Sequence, residues 1–120
     1  MQDKDRIASI LGCMEKILRY SAGKDYEDFI ADSMLTDACV FNLSQIGELS
    51  HSLSSVFLTA HPEVPWQAIY GLRNRIVHHY EGVNLRVVWE VVSEDIPKLH
   101  DYLSGLATEE RNDNDMTMQL

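Results

Sequence analysis

The sequence predicts an all-α protein, an up-and-down four-helix bundle with an additional short helix. Three observations carry that expectation. Apolar residues recur at intervals of three and four along most of the chain. No stretch shows the apolar–polar alternation of a half-buried strand. The interruptions hold Gly, Pro, Asp and Asn where helices start and stop. The 120 residues suffice for one domain with a real core. That domain is assigned to residues 1–107, with 108–120 as a polar, acidic and loose tail.

The first helix follows from Ile7, Ile10, Leu11, Met14, Ile17 and Leu18, a clear amphipathic stripe. Asp3 or Asp5 can cap its start, and Gly23 suits its stop. Asp25 or Ser21 then opens a short segment from Tyr26 to Ala31, with acids near its start that suit the helix dipole. A long helix is expected from about Ser33 to Phe57, continuous with the short one or slightly broken from it. Its stripe is Leu35, Ala38, Cys39, Leu43, Ile46, Leu49, Leu53, Val56 and Phe57. Asn42, Gln45 and Glu48 lie beside that stripe, either as a solvated flank or as partners for a cation.

His61-Pro62-Glu63-Val64-Pro65 is a breaker-rich connection, and Pro65 suits the entry to a helix that begins at Trp66. After Tyr80, Glu81-Gly82-Val83 ends that helix and Asn84 caps the next. Leu85, Val88, Trp89, Val92, Ile96, Leu99, Leu103 and Leu106 form the last stripe. Pro97 lies inside it and should kink the helix, because its ring removes a backbone donor and frees the Ser93 carbonyl.

Composition excludes several classes of function. At 45% hydrophobic and 24% charged, the chain reads as an ordinary soluble domain. No apolar run approaches a membrane span, and the first residues lack the apolar centre of a signal peptide, so a cytoplasmic location is expected. Cys13 and Cys39 are far apart, in no paired-ligand spacing, and read as buried free thiols. The net charge of −9 argues against a broad nucleic-acid-binding surface. Residues 25–60 carry six acids and no base, whereas residues 61–92 balance three against three. Arg73, Arg75 and Arg86 sit in that balanced segment. Anion binding should therefore be local, through a few placed residues.

The residues Trp66 to Tyr80 carry the chemistry. Projected as a helix, Trp66, Ile69, Tyr70, Leu72, Ile76, Val77 and Tyr80 gather on one side. Arg73 falls in the middle of that stripe, where a guanidinium is costly unless it is paired or lines a site that an anion enters. Gln67, Asn74 and His78 share a polar ridge next to it. Arg73 and His78 stand five residues apart, so on a straight helix they diverge by about 140°. Either the helix frays near His78, or two copies meet and pool their residues. The pooled arrangement is favoured, because Trp66, Ile69 and Tyr80 beside an arginine suit a symmetric dimer.

Histidine is the commonest general acid–base group, and arginine offers a planar fork matched to phosphate oxygens. Two symmetric histidines can serve as base and acid in turn. With RNA, the base deprotonates the 2′-OH, which attacks its own phosphodiester without a metal; DNA lacks that nucleophile. No carboxylate cluster or His/Cys spacing recommends a metal route. His51, His61 and His100 are isolated and suit surface or packing roles. A plainer reading of the same residues has Arg73 paired with a core acid such as Glu48 and His78 merely ending a helix. A third is a non-catalytic module that binds a nucleotide or partners a nucleotidyltransferase.

Arg73-Asn74, then His78 after four intervening positions from the arginine, then Tyr80, resembles the signature of the HEPN superfamily. The blocks Ile46-Gly47-Glu48, His61 to Trp66, Leu72 to Tyr80, Val88-Trp89 and Ile96-Pro97-Lys98-Leu99 are similar to the HepT-like branch. The resemblance covers roughly residues 5 to 105, and the order of several separate blocks makes it far more specific than the short motif. It implies a homodimer whose motif helices face each other. It also implies a toxin of a two-gene toxin–antitoxin pair, acting as a metal-independent endoribonuclease with no cofactor. By position, Arg73 and His78 would be catalytic and Asn74 would orient the histidine. Tyr80 matches the tyrosine that a partner nucleotidyltransferase antitoxin of the minimal (MNT) type modifies with AMP. Outside that carry-over, Glu48 and His79 could support the site; His79 occupies a position that the family lets vary, where it could compete as a proton carrier but is expected to be exposed. The acidity departs from what an RNA-binding enzyme needs. It implies weak general RNA affinity, a specific structured target, or a copy that no longer cleaves.

Overall fold

The computed structural model describes residues 2–71 and 84–106, and every regular element among them is helical. Helix α1 (Asp3–Ser21) buries Ile7, Ile10, Met14 and Ile17, the period that the sequence displays. Its end is set by Gly23, whose φ of 72° lies in the left-handed region that side-chain-bearing residues avoid. Helix α2 (Tyr26–Ala31) starts on a reciprocal capping box. Asp25 accepts from the Asp28 amide at 2.8 Å, and Asp28 accepts from the Asp25 amide at 3.0 Å.

Asp32 separates α2 from α3 (Ser33–His51) and serves both. Its backbone amide closes α2 on the Phe29 carbonyl, while its carboxylate accepts from the Leu35 amide at 3.1 Å. Thr36 adds a buried bond, its hydroxyl donating to the Phe29 carbonyl at 2.7 Å. The two helices are therefore slightly broken, as the sequence allows.

The long helix expected to reach Phe57 instead stops at His51, and a separate α4 (Ser55–Ala60) follows. Ser54 makes the break. Its hydroxyl caps α4 by accepting from the Phe57 amide at 3.2 Å. The same residue is held by Asp3 of α1, which accepts from the Ser54 amide at 2.9 Å and from its hydroxyl at 2.5 Å. Asp3 thus does not cap α1 as expected, and Gln2 occupies the cap position without a side-chain bond. These two hydrogen bonds pull the Asp3 carboxyl below its ordinary value.

Helix α5 is described over residues 66–71, and α6 (Leu85–Glu90) begins at Asn84, whose side chain accepts from the Arg86 amide at 3.0 Å. A π-helical turn at Val91–Asp95 joins α6 to α7 (residues 96–106). Where a kink was expected at Pro97, the structure has a widened turn that ends two residues before the proline, with the Ile96 amide bonded to the Val91 carbonyl.

One core cluster unites the helices. Ile10, Met14 and Ile17 of α1 meet Cys39, Leu43 and Ile46 of α3, and Val88, Val92, Ile96 and Leu103 close it. Phe29 is fully buried, its ring 5.2 Å from that of Trp89. Cys39 is buried and Cys13 half-buried, both as free thiols. Burial pushes the Cys39 thiol up to about 11. No described helix is long and apolar enough to cross a membrane. The residues expected to form the C-terminal tail lie outside the described ones.

Candidate active site

The connection before α5 is pinned from several sides. The Trp66 indole donates to the His61 carbonyl at 3.0 Å, and the Trp66 amide donates to the Val64 carbonyl at 2.8 Å. Val64 is buried beneath the turn. Tyr102 of α7 donates its hydroxyl to the Glu63 carboxylate, and His61 Nδ1 lies 3.2 Å from the same hydroxyl. Phe57 of α4 completes the packing, its ring 4.7 Å from His61 and 6.1 Å from Trp66. The breaker-rich sequence thus becomes a braced turn that fixes where α5 begins.

Within α5, Trp66, Ile69 and Tyr70 are half-buried, whereas Gln67, Ala68 and Gly71 are exposed. Of the expected apolar side, Trp66, Ile69 and Tyr70 are described and only partly covered, while Leu72, Ile76, Val77 and Tyr80 lie outside the described residues. Tyr70 lies against the last turn of α3, stacked on His51 with ring centroids 3.9 Å apart and planes 15° from parallel. Beside α5 opens an apolar cavity of about 570 Å³, walled by Leu43, Ile46, Ile69, Val87, Val91 and Leu99. Asp95 and Lys98 add its charged groups.

Arg73, Asn74, His78, His79 and Tyr80 all lie outside the described residues. The chain leaves the described part at Gly71, which lines the cavity, and returns at Asn84, one turn before Val87, which also lines it. Glu48 sits on the exposed side of α3 and is not a core acid. Asn42 is buried, its amide donating to the Ala38 carbonyl at 2.8 Å, and Gln45 is exposed. Arg86 has another role: its guanidinium lies 4.2 Å over the Tyr26 ring. His100 approaches Glu15 and Asp101, each at 3.9 Å. His61 and His100 therefore have the packing roles expected of them. The His51–Tyr70 stack was not anticipated, since the two residues stand 19 apart and no local period links them.

Among the described residues, no group of three or more His, Cys, Asp or Glu is placed to hold a metal ion. The described part of the site is a helical bundle with an apolar opening lined by Gly71 and Val87.

Comparison with known proteins gives that class a family. Residues 10–106 match the family model described as Ribonuclease HepT-like. The chain is 36% identical over 102 residues to "Putative RNase TTE0752" of Caldanaerobacter subterraneus subsp. tengcongensis, covering 85% of this chain and 91% of the relative. It is 36% identical over 96 residues to "Probable ribonuclease HepT" of Thermococcus cleftensis, covering 80% and 87%. It is 34% identical over 90 residues to "Putative RNase MJ1380" of Methanocaldococcus jannaschii, covering 75% and 83%. No solved structure matches. The chain belongs to the HepT-like ribonuclease family.

Proposed function

We propose that this protein is the toxin of a toxin–antitoxin pair, an endoribonuclease that cleaves RNA without a metal at a cleft shared by two copies. Family membership supports the substrate class. The observation that supports the arrangement is that Gly71 and Val87, which stand on either side of residues 72–83 in the chain, line one apolar cavity. The half-buried Trp66, Ile69 and Tyr70 beside it leave apolar surface that a second copy can cover.

In the proposed reaction, His78 of one protomer takes the proton from a ribose 2′-OH. The freed oxygen attacks the adjacent phosphorus, and the bond to the 5′-oxygen breaks. The partner's His78 returns a proton to that leaving oxygen. The products are a 2′,3′-cyclic phosphate and a 5′-hydroxyl. Arg73 neutralises charge on the non-bridging oxygens through its planar fork, and Asn74 orients the imidazole. Glu48 and His79 are supporting groups.

Control falls to Tyr80. A partner nucleotidyltransferase transfers AMP from ATP to its phenolic oxygen and releases pyrophosphate. The bulky anion then fills the cleft and neutralises Arg73.

Purified protein incubated with cellular RNA and EDTA tests the reading. Wild type should cleave, and Arg73→Ala and His78→Ala should lose at least a hundredfold in rate, the scale of a general acid–base or oxyanion contribution. Identical patterns from all three, or cleavage only with added metal, would refute it. Nucleotide binding without cleavage would identify a non-catalytic module instead. With the nucleotidyltransferase and ATP, intact mass should rise by whole AMP units in wild type and stay constant in Tyr80→Phe.

A further inference from the structure

We infer that the stacked pair His51–Tyr70 is a subsite for an unpaired nucleobase of the RNA. The inference rests on the ribonuclease reading and deepens it.

The first support is geometric. The rings lie 3.9 Å apart and 15° from parallel, so they form a continuation of the kind of column in which nucleobases stack. His51 is exposed and Tyr70 half-buried, so the column ends at the surface on the histidine side. This is the one parallel ring stack among the described residues; the others are tilted or edge-on and brace the core or the turn before α5. The second support is position. Tyr70 lies on the described part of α5 and stands three residues before Arg73 in the sequence.

The third support is electrostatic. RNA-binding proteins usually draw most of their affinity from phosphate contacts that release counterions. A chain with a net charge of −9, and six acids without a base over residues 25–60, has little of that to offer. Stacking does not need charge, tolerates any base, and typically changes affinity by about tenfold per base. An acidic ribonuclease that holds its substrate through rings resolves the departure noted in the sequence. It also selects single-stranded RNA, because a paired base is already stacked on its neighbours.

Fluorescence anisotropy with a labelled single-stranded RNA hexamer tests this, using His78→Ala protein to prevent cleavage. A matched set of hexamers carries one abasic ribose at successive positions. One abasic position should weaken binding about tenfold. Tyr70→Leu and His51→Ala, each in the His78→Ala background, should weaken the intact hexamer about tenfold and erase the difference between intact and abasic strands. Tyr70→Phe should restore it. Met34→Gln is the surface control, since Met34 is 82% exposed on α3. Thermal melts run alongside; if Tyr70→Leu does not fold, His51→Ala decides. Retention of the intact-versus-abasic difference in the variants overturns the subsite while leaving the ribonuclease reading intact. A parent protein that binds no hexamer, with a wild type that cleaves no RNA, overturns both.

Discussion

The bond between Asp3 and Ser54 joins the first turn of α1 to the start of α4, and its loss should be measurable. Asp3→Ala removes two hydrogen bonds, at 2.9 and 2.5 Å, both to an ionised carboxylate. Such bonds contribute about 1.5–3 kcal/mol each when protected. The Asp3 side chain is 28% exposed, so solvent screening reduces the pair to about 1.5 kcal/mol together. Ser54→Ala keeps the amide bond but loses the hydroxyl bond and the cap on the Phe57 amide, about 1.5–2 kcal/mol. The double variant should fall short of the sum by about 0.5–1 kcal/mol, because one bond is shared. The pH dependence follows from the lowered Asp3 carboxyl. A depressed carboxylate stabilises the fold above its unfolded value of 3.8, and that contribution is lost as pH falls through the folded value. Urea unfolding followed by far-ultraviolet circular dichroism, at pH 7 and again near pH 3, provides the measurement. Asp3→Ala should cost most at pH 7 and progressively less on acidification. An equal cost at both pH values, or strictly additive single variants, would refute the assignment.

Two further outcomes test the core. Phe29→Ala, at a fully buried position against Trp89, should destabilise by about 3–5 kcal/mol and lower Tm by on the order of 15 °C; a loss under about 1 kcal/mol would show that the α2–α6 contact is dispensable. Cys39, with its thiol pushed up to about 11, should resist a thiol reagent at pH 8 until urea unfolds the chain. Cys13 should react first, since burial raises its thiol while Lys16 partly offsets this. Prompt labelling of Cys39 in the native protein would contradict its burial.

The helical class was legible because burial imposes its own period. Ile7, Ile10, Met14 and Ile17 are spaced as one face, and all four are buried. Capping chemistry was legible where both partners are local, as at Asp25 and Asn84. It misled at Asp3, because a carboxylate at a helix start looks like a cap whether it turns to its own helix or to another. The same long-range pairing hid the break at Ser54: the apolar period runs on through Val56 and Phe57, and only the fold brings Asp3 to that serine.

The candidate site divides in the same way. By itself the sequence pointed to an all-α chain, and set Arg73, Asn74, His78 and Tyr80 in an order that resembles the HEPN signature. Those are properties of residue type and spacing, which survive without any packing. Tertiary structure alone decided that Tyr102 braces the turn before α5, that Tyr70 lies on His51, and that Gly71 and Val87 share one apolar rim. Each of these joins residues far apart in the chain. Such contacts depend on how the helices cross, and helical periodicity says which face is turned inward but not what it meets there.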